Sequence, residues 1–192
     1  MIQTLRSLYE GLFGTLQRLT EDWLLGLAAR LAFSSVLFFY FLNSAMTKVG
    51  SGFPGVLIPQ SGAYAQILPA IAERYNYDAS QIPMLPYGLI VHAGTYAEFI
   101  LPVLILLGLF TRAASAAFIG FIGVMSYVDI AFHGADAKTI GAVFDRVQDS
   151  AILDQRILWV FPLLYLMIRG PGLISLDAVF GKMFGARRSD WD

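Results

Sequence analysis

Cysteine is absent from this chain. That absence excludes disulfides, thiolate nucleophiles, thiolate metal sites and iron–sulfur clusters together. Charge is scarce too: Lys, Arg, Asp and Glu make up 14% of the residues, against about 25% in soluble domains. Nor is there a basic excess. The formal net charge is −1, which argues against a nucleic-acid partner, since phosphate binding needs a basic face. There is no internal repeat, low-complexity tract or second domain.

What is present is apolar. Hydrophobic residues account for 57% of the 192 positions and the mean hydropathy is +0.63, where soluble domains are about 45–50% apolar. So few polar groups cannot cover a water-facing surface. The composition implies an integral membrane protein of one domain, its partner the lipid bilayer.

A crossing helix needs about 20 apolar residues to traverse a hydrocarbon core of about 30 Å. Four stretches qualify, over about 23–45, 88–109, 113–132 and 157–173. The tight "GLFTRA" turn makes the second and third an antiparallel hairpin. With four spans both termini share one side, which carries Arg6, Arg18, Arg112, Arg169, Lys182, Arg187 and Arg188. The other side carries Lys48, Arg74, Lys138, Arg146 and Arg156 in long loops, which count less. The bias puts both termini in the cytoplasm of what reads as a bacterial inner-membrane protein.

Residues 1–20 are no signal peptide, since Glu10 interrupts them and no small-residue cleavage site follows, and 1–22 read as an amphipathic interfacial segment. Ile2, Leu5, Leu8, Leu12, Leu16 and Leu19 instead form one apolar helical stripe, the pattern of a helix lying in the membrane surface. After "RGPG", Ser175 can cap a last short helix, and residues 179–192 read as a second surface helix and tail. The fold class expected is therefore all-α: an integral membrane four-helix bundle over 23–178 with flanking interfacial amphipathic helices. In the loop over 49–87, Tyr64, Ile67, Leu68, Ile71 and Tyr75 share a helical side. In the loop over 134–156 Ile140, Val143, Phe144 and Val147 do the same, so each loop could lay a short helix across the bundle mouth.

Ionised groups at mid-membrane persist only when paired, protonated or facing a cavity. Glu98 lies about ten residues into the second span and Arg30 about seven into the first. At 1.5 Å per residue their depths differ by about 6–8 Å, within an arginine's reach. A Glu98–Arg30 ion pair is the economical expectation, either as structural glue or as the wall of a ligand pocket with direct chemistry. Nearer the loop-side ends stand Asn43, Lys48, His92, Asp129 and His133, the last two four apart on one helix face. Hydrogen-bonded interfacial polarity, a two-histidine-one-carboxylate metal site, a haem held by His92 and His133, and a proton relay are the readings open there. The histidines are superficial for an enclosed haem. No metal is assigned.

Taken together, Arg30, the exit "NSAMTKVGSGF" with Lys48, the run "AEFILPVLILLGLFTRAAS" and the close "RILWVFPLLYLMIRGPGLISLD" resemble the DoxX family of small four-span membrane proteins. The likeness covers about residues 23–178 and rests on Glu98, on Thr111 and Arg112 of the turn, and on Asp177. It implies association with membrane oxidoreductases, one branch resembling the small subunit of a thiosulfate:quinone oxidoreductase. It points to Arg30, Lys48, Glu98, Arg112 and Asp177, and not to the histidines. The function expected is a subunit of, or accessory to, a quinone-linked oxidoreductase, with quinone as the candidate cofactor and cofactor-bearing partner subunits. In it Glu98 exchanges protons and Arg30 orients a carbonyl oxygen. The alternative is a non-catalytic scaffold or assembly subunit. A small-solute carrier is less attractive, because no broken helix pairs occur.

Overall fold

The computed structural model describes residues 2–183 and 185; the expected tail to residue 192, with Arg187 and Arg188, lies outside them. Among the described residues the fold is all helix, apart from one isolated antiparallel bridge between Val49 and Pro59. Helix α1 (Ile2–Thr20) is followed by a turn and by α2 (Leu24–Met46). The short helices α3 (Ser61–Ile67) and α4 (Pro69–Arg74) come next. The long pair α5 (Leu89–Leu107) and α6 (Thr111–Ala131) leads through a one-turn α7 (Ala137–Ile140) to α8 (Leu153–Arg169) and α9 (Leu176–Met183).

Three of these helices are long and apolar enough to cross a membrane: α2, α5 with the wide turn at Met84–Gly88 that precedes it, and α6. Each buries one stripe and leaves the rest apolar and open. On α2 the stripe is Gly26, Arg30, Phe33, Leu37, Phe41 and Ala45, while Leu31, Val36 and Phe39 face outward. An exterior of that kind suits lipid and not water. The expected fourth span is set differently. Helix α8 has 17 residues, about 26 Å at helical rise and short of the hydrocarbon core. It begins ahead of Arg156, because the Ser150 hydroxyl accepts from the Asp154 N–H while Asp154 accepts from the Ser150 N–H. It stops at Gly170, whose positive φ of 82° and following proline end the helix.

Helices α2, α5, α6 and α8 close a ring in which α2 and α6 each pack on both α5 and α8. Edge-to-face rings fill its centre: Phe33 and Phe41 of α2 lie 5.0 and 4.8 Å from Phe118 of α6. The two ends of this ring are called here the termini end and the loop end. At the loop end the stripe read in "AYAQILPAIAERY" is split, since Leu68 cannot stay helical ahead of Pro69, which starts α4 at its first position. Both pieces still bury together, with Tyr64 and Ala72 against Val91 of α5. The matching expectation for the second loop is overturned. Helix α7 ends after four residues at Gly141 (φ +77°), and Val143, Phe144 and Val147 are exposed. Helix α1 buries no residue at all.

Candidate functional site

At the termini end the charged groups hold backbone. Helix α5 closes on left-handed Gly108, with the Leu109 N–H donating to Leu104 and the Gly108 N–H to Ile105. A helix C-terminus still leaves carbonyls without partners and carries partial negative charge. Arg30, 6% exposed, supplies what is missing. Its Nε donates to the Ile105 oxygen at 3.0 Å, and its terminal nitrogens donate to the oxygens of Leu106 and Ile174. A Cβ on Gly108 would lie 2.8 Å from the guanidinium carbon, so no side chain fits there. The start of α6 is served by the opposite charge. Asp177 accepts from the Phe110 and Thr111 N–H groups at 2.7 and 2.9 Å, and its own N–H donates to the Gly108 oxygen. Arg112 lies beside Gly170 at the end of α8.

The expected Glu98–Arg30 ion pair is therefore not formed. Arg30 is engaged at the level of Ile105 and Leu106, about 10 Å along α5 from Glu98 at helical rise. Depth arithmetic says nothing of the direction of a side chain, and the helix end is the stronger attractor.

Glu98 is held by Lys48 instead. The ammonium donates to Glu98 Oε2 at 2.8 Å, to the Ser44 hydroxyl at 2.7 Å and to the Ser44 carbonyl at 3.3 Å, so all three of its protons are used. The two side chains are 4% and 6% exposed. Lys48 stands just beyond α2, and its four-carbon stem carries the charge back into the bundle. The buried pair lines a cavity of about 600 Å³ between α5 and α6. The walls are apolar or small: Ala93, Gly94, Ala97 and Leu101 from α5, Phe121, Val124 and Met125 from α6. Ile90 and Val124, both lining it, are 45% and 62% exposed, so it opens sideways between the two helices.

A second ion pair adjoins it. Asp129 of α6 accepts from Arg156 of α8, which also donates to the Ser126 hydroxyl at 2.8 Å. Helices α5, α6 and α8, and the chain two residues past α2, thus contribute one charge each to the two pairs, which cancel to zero. Asp129 and His133 line the same cavity as Glu98 and Lys48. The histidines do not meet. His92 turns to the Gly88 oxygen of its own chain segment at 2.8 Å, whereas the His133 Nε2 donates to the Gln66 oxygen of α3 at 3.0 Å. Among the described residues no group of three or more His, Asp or Glu side chains could hold a metal ion.

The chain matches no protein-family model, no curated protein and no solved structure in comparisons with each.

Of the residues singled out in the sequence, the fold gathers Lys48, Glu98, Asp129 and His133 at the cavity. It leaves His92 apart and sends Arg30, Arg112 and Asp177 to the other end. Ser44 and Arg156 were not among the candidate site residues of the sequence. Ser44 lies four residues before Lys48, hence on its face, and Arg156 precedes the fourth apolar run at the end where Asp129 needs a cation. Those were the available signals.

Proposed function

We propose that this protein binds a lipid-soluble, carbonyl-bearing carrier of the quinone type in the cavity between α5 and α6. It would do so as a DoxX-like subunit of, or accessory to, a membrane oxidoreductase. One observation carries the reading: a laterally open, largely apolar cavity lined by the buried Lys48–Glu98 pair. The ring and tail of such a carrier suit the walls, and its oxygen can displace the Ser44 carbonyl, the longest of the ammonium's three contacts at 3.3 Å. Reduction of a quinone takes two electrons and two protons and yields the quinol. The electrons come from a cofactor-bearing partner subunit. Lys48 stabilises the charge that develops on the ligand oxygen, and the Lys48–Glu98–Ser44 group passes on the two protons one at a time, each replaced from water before the next is given. Arg30 has no part in this step.

In the same reading α8 completes a fourth crossing, its antiparallel packing on α2 and α6 supporting that. Both termini face the cytoplasm of a bacterial inner membrane, and α1 and α9 lie in its surface. The wholly unburied α1 also favours a second reading, a non-catalytic assembly subunit that docks its partner through that helix.

The test is titration of the purified full-length protein in detergent with a benzoquinone bearing a ten-carbon tail. Saturable binding is expected, weakened at least tenfold in the double variant Lys48→Met/Glu98→Gln, whose neutral pair keeps the bundle folded by circular dichroism. Native protein that takes up the quinone no better than empty detergent micelles do would remove the proposal.

A further inference from the structure

The Lys48–Glu98 pair is 4% and 6% exposed, yet a site that reduces a quinone must import protons from water. The loop end shows where they can enter. A second cavity, of about 500 Å³, lies outside the first between α3–α4 and the end of α6, and exposed Glu73 and Tyr77 help to line it. The two cavities share Gln66 and His133. Of the titratable side chains lining the inner cavity, Lys48, Glu98, Asp129 and His133, the histidine alone also lines the outer one.

We propose that His133 is the proton port of the cavity, passing protons between the outer vestibule and the Lys48–Glu98 pair. The inference rests on the quinone-type reading above. A carbonyl can only accept, so the ring nitrogen Nε2 that meets the Gln66 oxygen carries a hydrogen, and Nδ1 is left to take up and release the transferred proton. Histidine is the side chain suited to that exchange near neutral pH. The groups facing it are few. Asp129, one turn earlier on α6, is paired with Arg156 of α8. Glu73 and Tyr77 come from α4 and the turn after it, and Lys48 and Glu98 line the inner cavity. The bond to Gln66 does two things at once. It holds α3 over the mouth between the cavities, and it fixes which nitrogen is free.

The experiment is voltammetry of the full-length protein adsorbed on an electrode and loaded with the ten-carbon-tail benzoquinone, the electrode supplying the electrons. His133→Gln keeps an N–H donor for the Gln66 oxygen but cannot titrate. Its reduction wave is expected to keep the native midpoint potential and quinone affinity while the rate falls about a hundredfold, within the usual contribution of a positioned acid–base group. Imidazole added to the buffer restores the rate. An unchanged rate in His133→Gln, or a slow rate that imidazole does not restore, overturns the port and leaves the binding site standing. Absence of any quinone wave in the native protein sinks both.

Discussion

The two ends of the bundle use the same kinds of charge to opposite purpose. At the termini end Arg30 and Asp177 are spent on backbone: the guanidinium on carbonyls ending α5, the carboxylate on N–H groups starting α6. Each suits the sign of its helix terminus, and Gly108, having no side chain, leaves the guanidinium its place. At the loop end Lys48, Glu98, Asp129 and Arg156 are spent on one another and border open space. A charge bound to backbone can only fasten. A charge bound to another side chain can exchange partners, and a ligand oxygen can be one of them.

Substitutions should separate the two ends by size of effect. The largest is expected for Arg30→Met. Three hydrogen bonds from a charged donor are lost, each worth about 1.5–3 kcal/mol, so the variant should lose more than about 4 kcal/mol or fail to fold. Thermal melting in detergent reads this. A native-like melt would mean the guanidinium is not a fastener.

Next comes Lys48→Met, which strands a buried carboxylate and should cost about 3–5 kcal/mol. Adding Glu98→Gln should return most of that stability without restoring quinone binding, because replacing both members of a buried pair is often close to neutral. If the double variant melts no higher than the single one, the loop-end pair is structural like its counterpart. Asp177→Asn is smaller, about 1–2 kcal/mol for a weakened helix cap, and it should leave the quinone titration unchanged. Lost binding in that variant would erase the distinction between the ends.

The smallest effect concerns the loops. The Thr139 hydroxyl and N–H bond to Asp136, and Ser80 and Gln81 bond to Asp78, holding both carboxyls below the ordinary value of 3.8. The sign follows from that depression. The caps contribute fully above the unfolded value and are lost only as pH falls through the lower folded one. The Thr139 and Ser80 amide resonances should thus stay fixed from neutral pH down to about 4 and move below it. Movement already at pH 5–6 would contradict the capped geometry.

Much of the scaffold was legible. The apolar runs place α2, α5 and α6 to within a few residues, because lipid leaves the chain no alternative to satisfying its backbone internally. Helix α8 was read late at its start because Arg156 looked like a loop residue. Its partners, Asp129 and Ser126, lie on another helix, and pairing across helices leaves no local periodicity. The site was half legible. Glu98 stood out by its cost, but two cations lay within plausible reach and depth favoured Arg30. What decided for Lys48 was the direction of a flexible stem. The second loop misled for a different reason: its apolar spacing was helical, yet Gly141 ends α7 before the stripe can form.

Asp177 follows Thr111 by 66 positions, and its carboxylate closes the hairpin of α5 and α6 from near the end of the described chain. That hairpin can enter a bilayer as soon as it leaves the ribosome, but it cannot be locked at that stage. Arg30 waits in the same way for the carbonyl of Ile174. Synthesis of the closing segment is therefore the act that tightens the first-made helices, and a chain cut short before it would carry every long helix and remain unlatched.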